Sequence, residues 1–320
     1  MGKPIIFLQE KLKPEQIKRI TETAENYLVL DSSTDSQTFN EEDIAIMLGW
    51  NKEIGPRLLA NPHSQLQWVQ SISAGVDSFD LAAFQNKNIL LSNGSGIHSV
   101  SITEHVLGVL LSEYRGLRSA VIDQKKNAWS RSTSKIRQLS GQKMLIVGTG
   151  KIGQQLAAFA QGLKIQTYGI NSTGHPSSGF LECYSQKNMS RIIQDMDIVV
   201  NILPLTEETY YLYDEAMFNA MKKGVVFINV GRGPSVKTTD LLSALNNEQI
   251  SFAALDVFEE EPLPKDSPLW TLDNVLITPH ISGMTAGFKE KLTRIFLSNL
   301  KSFIEAGKLE KNQVDLTKGY

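Results

Sequence analysis

The stretch Lys143-Met144-Leu145-Ile146-Val147-Gly148-Thr149-Gly150-Lys151-Ile152-Gly153 decides how the rest of the chain is read. An apolar run ends in the spacing Gly148-x-Gly150-x-x-Gly153, and a helical pattern follows over 154–163. Glycines so placed have a mechanical meaning. The first permits a tight turn, the second lets the backbone approach a pyrophosphate, and the third lets helix and strand pack closely. The helix N-terminus then offers unpaired N–H groups and the positive end of its dipole. The spacing alone is weak evidence; its place directly after an apolar strand makes it the mark of a dinucleotide site. Gly148, Thr149, Gly150, Lys151, Ile152 and Gly153 are therefore expected to contact a cofactor.

Outward from that loop, short apolar runs alternate with longer amphipathic ones. Strands are expected at Ile5–Leu8, 27–30, Ile44–Leu48, 68–72 and 89–91, with a helix over 14–24. A long apolar helical stretch, 101–117, and a polar segment, 125–140, containing Trp129, come next. Strands resume at 144–147, 166–170, Ile198–Asn201, Val225–Asn229, 252–255 and Val275–Ile277, and a last helix is expected over 286–306. Near-continuous apolar strands with helices between them read as parallel βαβ units. Two such arrays in 320 residues predict an α/β chain of two doubly wound, Rossmann/flavodoxin-like domains. The cofactor domain, 99–288, is expected to be inserted in a substrate (catalytic) domain of 1–98 plus 289–320, with the substrate in the cleft between them and hinge closure as part of the mechanism.

Composition excludes other classes. With 41% hydrophobic and 21% charged residues the chain is not disordered. Thirty-two basic against 34 acidic residues leave no whole-chain footprint for nucleic acid. Cys183, the single cysteine, makes neither an internal disulfide nor a thiolate zinc site, so no metal is expected. The start is too short in apolar residues for a signal core, and no apolar run is long enough to span a membrane. A cytoplasmic protein with neither nucleic-acid nor membrane partners follows as the expectation.

In an NAD site the second strand ends in an acid that binds the ribose 2′-hydroxyl. Here residues 165–170 run into Asn171-Ser172-Thr173, small amide and hydroxyl groups that tolerate a 2′-phosphate. This favours NADP, with NAD the alternative; Lys151 is the nearest cation in sequence.

Three further segments follow expected strands, where open α/β sheets bind ligands. Asn229-Val230-Gly231-Arg232-Gly233-Pro234 presents an arginine between glycines, suited to gripping a carboxylate by two hydrogen bonds. Asp256-Val257-Phe258-Glu259-Glu260-Glu261-Pro262 puts an acid directly after a strand and then an acidic run. Thr278-Pro279-His280-Ile281-Ser282-Gly283 offers a histidine, the side chain whose ordinary pKa of about 6.5 suits proton transfer near neutrality.

These segments resemble the D-isomer-specific 2-hydroxyacid dehydrogenase family. The likeness extends to Ser73-Ala74-Gly75-Val76-Asp77, to Thr103-Glu104-His105, and to Asn201-Ile202-Leu203-Pro204-Leu205-Thr206 with Glu208-Thr209. It implies a hydride transfer between NAD(P)H and a small 2-oxo acid, giving a D-2-hydroxy acid. His280 falls on the family's acid/base, Glu261 on its partner and Arg232 on the carboxylate and carbonyl anchor; Glu259 and Glu260 are neighbours that a looser alignment would choose. Ala74, Gly75 and Val76 fall on the substrate loop and Leu203 and Pro204 on the adenine wall. Asp256 falls on the residue that holds the nicotinamide carboxamide. Val230, Gly231 and Gly283 join the cofactor contacts. The resemblance also implies a homodimer built on the stretch 101–117 of the cofactor domain, with Trp129 near the interface.

Trp50 follows the strand Ile44–Leu48 and is a candidate wall of the substrate pocket. An uncharged wall favours glyoxylate, hydroxypyruvate or a larger 2-oxo acid over D-3-phosphoglycerate, the alternative substrate. His98 and His105 read as structural. A formate dehydrogenase would carry glutamine in place of Glu261. A nucleotide-sensing co-repressor on the same fold is the alternative of another class, since such relatives keep the Arg, Glu and His.

Overall fold

The computed structural model describes residues 2–33, 39–76, 78–131 and 136–318. Asp77 of the substrate-loop motif and part of the polar segment 125–140 lie outside the described residues. Two compact units are present: one comprises Met1–Ile97 with Thr285–Tyr320, the other His98–Met284. Each carries one parallel sheet with helices on both faces.

The first unit runs β1 (Ile5–Leu8), α1 (Pro14–Thr23), β2 (Leu28–Asp31), β3 (Ile44–Leu48), α2 (Ile54–Ala60), β4 (Trp68–Gln70), α3 (Leu81–Asn86) and β5 (Leu90–Ser92). Its strands lie in the order β2-β1-β3-β4-β5, the flavodoxin-like doubly wound order. Ile6, Leu8, Ile46 and Leu48 bury one face of the sheet, and Ile5, Phe7, Ile44 and Met47 the other. The C-terminal helix, Phe288–Ala306, belongs to this unit and lays Leu292, Phe296, Leu300 and Phe303 on the first of these faces, with Phe296 stacked on Trp68 at 4.9 Å. It starts at Phe288 because Gly287 sits in the left-handed region, φ 69°.

The second unit opens with α4 (Ser99–Tyr114) and α5 (Leu117–Lys125). The sequence pattern suggests one helix over 101–117 and then a polar segment. Gly116, at φ 69°, breaks the helix and starts a second one. Arg118 of α5 then donates to the carbonyls of Asp273 and Val275. The sheet and its connections follow as β6 (Lys143–Val147), α6 (Lys151–Gly162), β7 (Gln166–Asn171), β8 (Glu182–Ser185), α7 (Met189–Ile192), β9 (Ile198–Asn201), α8 (Glu215–Ala220), β10 (Val225–Asn229), α9 (Thr238–Asn246), β11 (Ile250–Leu255) and β12 (Val275–Ile277). Strand β8 has no apolar run to announce it: Glu-Cys-Tyr-Ser is a half-exposed edge strand. The order is β12-β11-β10-β9-β6-β7-β8, which reverses between β6 and β9. That reversal is the switch point where open α/β sheets bind ligands.

Register makes the strand ends a single row. Val147 pairs with Asn201, Asn201 with Asn229, Asn229 with Leu255, and Leu255 with Ile277. The residues that follow the row, Gly148, Ile202, Val230, Asp256 and Thr278, therefore all leave the sheet at one edge.

Backbone packs tightly at the β6–α6 turn. A Cβ on Gly153 would stand 2.0 Å from the Gly148 carbonyl oxygen, whereas one on Gly150 would meet nothing within 4 Å. Gly153→Ala is expected to cost about 2–3 kcal/mol of stability because backbone must give way. Gly150→Ala should leave stability nearly unchanged. Urea unfolding of both variants checks this; equal midpoints would show that the turn accommodates the extra atom.

Candidate active site

The phosphate loop has room where a phosphate needs it. Gly148 adopts φ +115°, and Leu203, from the loop after β9, packs within 3.5 Å of where its Cβ would be. Gly150 is required neither by a positive φ nor by any protein neighbour. A side chain there would fill only the space in front of the first turn of α6. The loop thus fits a pyrophosphate on the helix N-terminus. Thr149 is buried, and its hydroxyl oxygen accepts from Asn171 Nδ2 at 3.1 Å and Ser177 Oγ at 3.0 Å. Its side chain therefore serves the loop after β7. Gly169 makes room for it: a Cβ there would lie 2.6 Å from the Thr149 methyl.

The loops after β9 and β10 are tied together by a buried polar network. Asn201 Nδ2 donates to Asn229 Oδ1 and to Ser235 Oγ, both at 2.9 Å. Asn229 Oδ1 also accepts from the Gly231 N–H at 3.1 Å, and Asn229 Nδ2 and Ser235 Oγ both donate to the Arg232 carbonyl, at 3.2 and 2.6 Å. Leu203 N–H donates to Asn201 Oδ1, and Val230 N–H to the Asn201 carbonyl. Gly231 and Gly233 are packing requirements, since a Cβ would meet the Leu203 carbonyl at 2.7 Å and that of Phe258 at 1.8 Å. The backbone of Arg232 is consequently held from both sides. Its half-buried guanidinium donates to the Gly231 carbonyl at 2.9 Å. Thr209 Oγ1 donates to the Pro204 carbonyl and accepts from the Thr206 N–H, which shapes the Leu203–Pro204 turn.

Of the three consecutive glutamates, Glu261 reaches His280: Oε2 lies 2.7 Å from Nδ1, and Oε1 accepts from the Phe258 N–H at 3.0 Å. Glu259 instead accepts from the Thr238 N–H at the start of α9, at 2.7 Å. Burial pushes its pKa up, but bonds from Thr238 and Tyr211 outweigh that and hold it below the usual carboxylate range. Glu260 is exposed. His280 has φ 54° and leaves about half of its side chain open to solvent. Its Nδ1 faces the carboxylate, so the proton it can exchange with a ligand is the one on Nε2.

Asp256 holds that histidine in place. It is 1% exposed. Its Oδ1 accepts from Thr278 Oγ1 at 2.6 Å and Ile281 N–H at 2.9 Å, its Oδ2 from Ser282 N–H at 2.9 Å, and its carbonyl from the His280 N–H at 2.9 Å. Sequence reading placed it on the cofactor and did not foresee this clamp. Gly283 donates nothing to it, but its carbonyl lies 2.7 Å from His98 Nδ1. His105 approaches Thr278 Oγ1 at 3.4 Å, and burial pushes its pKa below the ordinary histidine value against the opposing charge of Asp256. Both histidines serve the architecture of the loop.

In the first unit the substrate-loop motif follows β4. Ser73 Oγ donates to the Gly75 carbonyl at 2.7 Å, Asn93 Nδ2 to that of Ala74 at 2.8 Å, and Val76 is buried. Trp50 is half-buried in that unit's core, its ring 5.3 Å from Phe79 and 5.6 Å from Phe84, over Gly55. Sequence reasoning missed the supporting residues Asn201, Asn229, Ser235, Thr278 and Asn93. A signal was available for two of them: Asn201 and Asn229 each end an otherwise apolar strand.

Among the described residues no group of three or more His, Cys, Asp or Glu side chains is placed to hold a metal, and no helix is long and apolar enough to cross a membrane. Replacing Asp256 with Asn puts an amide N–H₂ among three donors. That substitution should cost about 2–3 kcal/mol in thermal or urea unfolding. A variant as stable as the parent would refute the clamp.

Comparison with known proteins gives the family. Residues 107–282 match the family described as D-isomer specific 2-hydroxyacid dehydrogenase, NAD binding domain. The chain is 33% identical over 273 residues to a glyoxylate/hydroxypyruvate reductase B of Citrobacter koseri, covering 84% of each chain. Among solved structures it resembles a phosphoglycerate dehydrogenase from Lactobacillus plantarum, with 40% identity, 97% of this chain and 100% of that one covered, and a TM-score of 0.59. It also resembles an NADPH-dependent glyoxylate/hydroxypyruvate reductase from Sinorhizobium meliloti in complex with NADP and sulfate, with 25% identity, 99% and 100% covered, and a TM-score of 0.83. With its strand-end row, its phosphate loop and these relatives, the chain belongs to the D-isomer-specific 2-hydroxyacid dehydrogenase family and is an NAD(P)-dependent oxidoreductase.

Proposed function

We propose that this protein reduces a small 2-oxo acid to the D-2-hydroxy acid, with glyoxylate or hydroxypyruvate as substrate and NADPH as the favoured reductant. The observation that carries the reading is the His280–Glu261 pair, 2.7 Å apart, on loops leaving the same sheet edge as Arg232. The names of the Citrobacter and Sinorhizobium relatives support the substrate, and the NADP in the latter, with the missing acid at the end of β7, supports the cofactor.

When bound, the dinucleotide supplies the hydride that reduces C2. Its pyrophosphate belongs on residues 148–153, its adenosine beside Asn171-Ser172-Thr173 and Leu203-Pro204. Val230, Gly231 and Gly283 line the remainder of its path. Arg232 binds the substrate carboxylate and polarises the 2-oxo group, lowering the cost of charge developing on that oxygen. His280 gives its Nε2 proton to the same oxygen, and Glu261 stabilises the imidazolium form that donates it. Each turnover thus consumes one proton with one hydride. Asp256 acts first as the residue that positions His280; its spare lone pairs are those the nicotinamide carboxamide would use. Ala74, Gly75 and Val76 are assigned to the substrate carboxylate and Trp50 to the wall that meets its side chain.

The 40% identity to a phosphoglycerate dehydrogenase keeps D-3-phosphoglycerate as the second substrate to test. A panel of glyoxylate, hydroxypyruvate, larger 2-oxo acids and D-3-phosphoglycerate, run with both cofactors, decides between them. His280→Ala should lower kcat by about 10²–10⁴ with little change in cofactor affinity. Full activity in that variant would sink the acid–base assignment.

A homodimer through the second unit completes the proposal. Leu117 and Val121 of α5 are about half exposed, and Trp129 beyond it is 88% exposed, an apolar surface of the kind that marks an interface. Light scattering at micromolar concentration should return twice the chain mass of 35.5 kDa. A monomer would contradict it.

A further inference from the structure

The loop after β7 is more ordered than mere tolerance of a phosphate requires. Asn171 ends β7, where a dinucleotide fold places the residue that meets the adenosine ribose. Its Oδ1 accepts the N–H groups of Thr173 at 3.2 Å, Gly174 at 2.6 Å and His175 at 3.2 Å. Its Nδ2 donates to Thr149 Oγ1 at 3.1 Å and to the His175 carbonyl at 2.9 Å. Both donors and the acceptor of the carboxamide are spent within the protein. Asn171 is therefore a clamp on the loop and not a contact for the ribose. Gly174, at φ +82°, packs the loop on β8: a Cβ there would lie 2.9 Å from the Ser185 nitrogen.

What the clamp presents is Ser172, Thr173 and His175, all exposed. Thr173 Oγ1 lies 3.0 Å from His175 Nδ1. With the hydroxyl donating, the ring's proton sits on Nε2, which is then a donor aimed by a neighbour two residues away.

We propose that His175, oriented by Thr173 on a loop clamped by Asn171, recognises the 2′-phosphate of NADP. This rests on the NADP reading above and names the residue that delivers it. The hydroxyl of Ser172 lies beside His175 in the clamped loop as a further donor, while the Thr173 proton is committed to His175 Nδ1. A carboxylate in the position of Asn171 would repel the phosphate, and an arginine is not needed when an imidazole is already fixed in position. Asn171, Thr149 and Ser177 are positioning residues for this site.

The test is a calorimetric titration of the full-length protein and its variants with adenosine 2′,5′-bisphosphate and with 5′-AMP. The parent should bind the bisphosphate at least about tenfold more tightly, the scale of one charge-assisted hydrogen bond. His175→Gln should lose most of that margin and leave 5′-AMP binding unchanged, while His175→Arg should keep it. A margin that survives His175→Gln overturns the role of His175 and leaves the NADP reading standing. A parent with no margin overturns both. An equal loss for the two ligands overturns the proposal too, because it assigns His175 to the shape of the loop.

Discussion

A carboxylate buried to 1% exposure organises the loop that carries His280. Removing Asp256 from water is costly unless its oxygens are fully paired. Here they are paired with the Thr278 hydroxyl and the N–H groups of Ile281 and Ser282, while the residue's own carbonyl takes the N–H of His280. All these bonds are satisfied together with His280 at a positive φ between them. The cost of burying the charge thus becomes a constraint on the loop. The backbone of His280, the proposed acid–base, is held by a residue that does not touch its ring.

The neighbouring loops follow the same logic with neutral groups. Asn201 and Asn229 end adjacent strands, and their amides face each other because register pairs them. Ser235 and the Gly231 N–H complete the set, so that the Arg232 carbonyl is fixed from two sides. Buried networks whose members are all satisfied rigidify the backbone that carries them. Glycines 231 and 233 then let the loops approach at distances no side chain permits. On the other side of the switch point Asn171 does the same for its loop. Four strand ends of the second unit carry an Asn or Asp at or just past the last residue: Asn201 and Asn229 act together, and Asn171 and Asp256 each organise a loop of their own.

Much of this was legible in the sequence because it has a period. Apolar runs at the strands, the glycine spacing after β6, and the segments around Arg232, Glu261 and His280 all lie in continuous stretches. Strand β8 escaped because an edge strand exposed on one side needs no apolar run. The break at Gly116 escaped because a glycine inside a helical pattern is read as tolerated until its φ is known. The choice among Glu259, Glu260 and Glu261 rested on a neighbouring proline, since three like residues in a row carry no geometry of their own.

The sequence by itself determined two parallel βαβ arrays, a dinucleotide loop and the chemical types needed for reduction of a 2-oxo acid. Those properties follow from local rules: hydrophobic period, glycine conformations and side-chain chemistry. Only the tertiary structure decided which polar side chains hold the loops at the strand ends. Asp256 and Asn171, candidate cofactor contacts in the sequence, also hold their loops together through hydrogen bonds within the protein. The reason is that a polar group at a strand end meets whatever donors the neighbouring strands deliver, and register across the sheet, not order along the chain, sets that company.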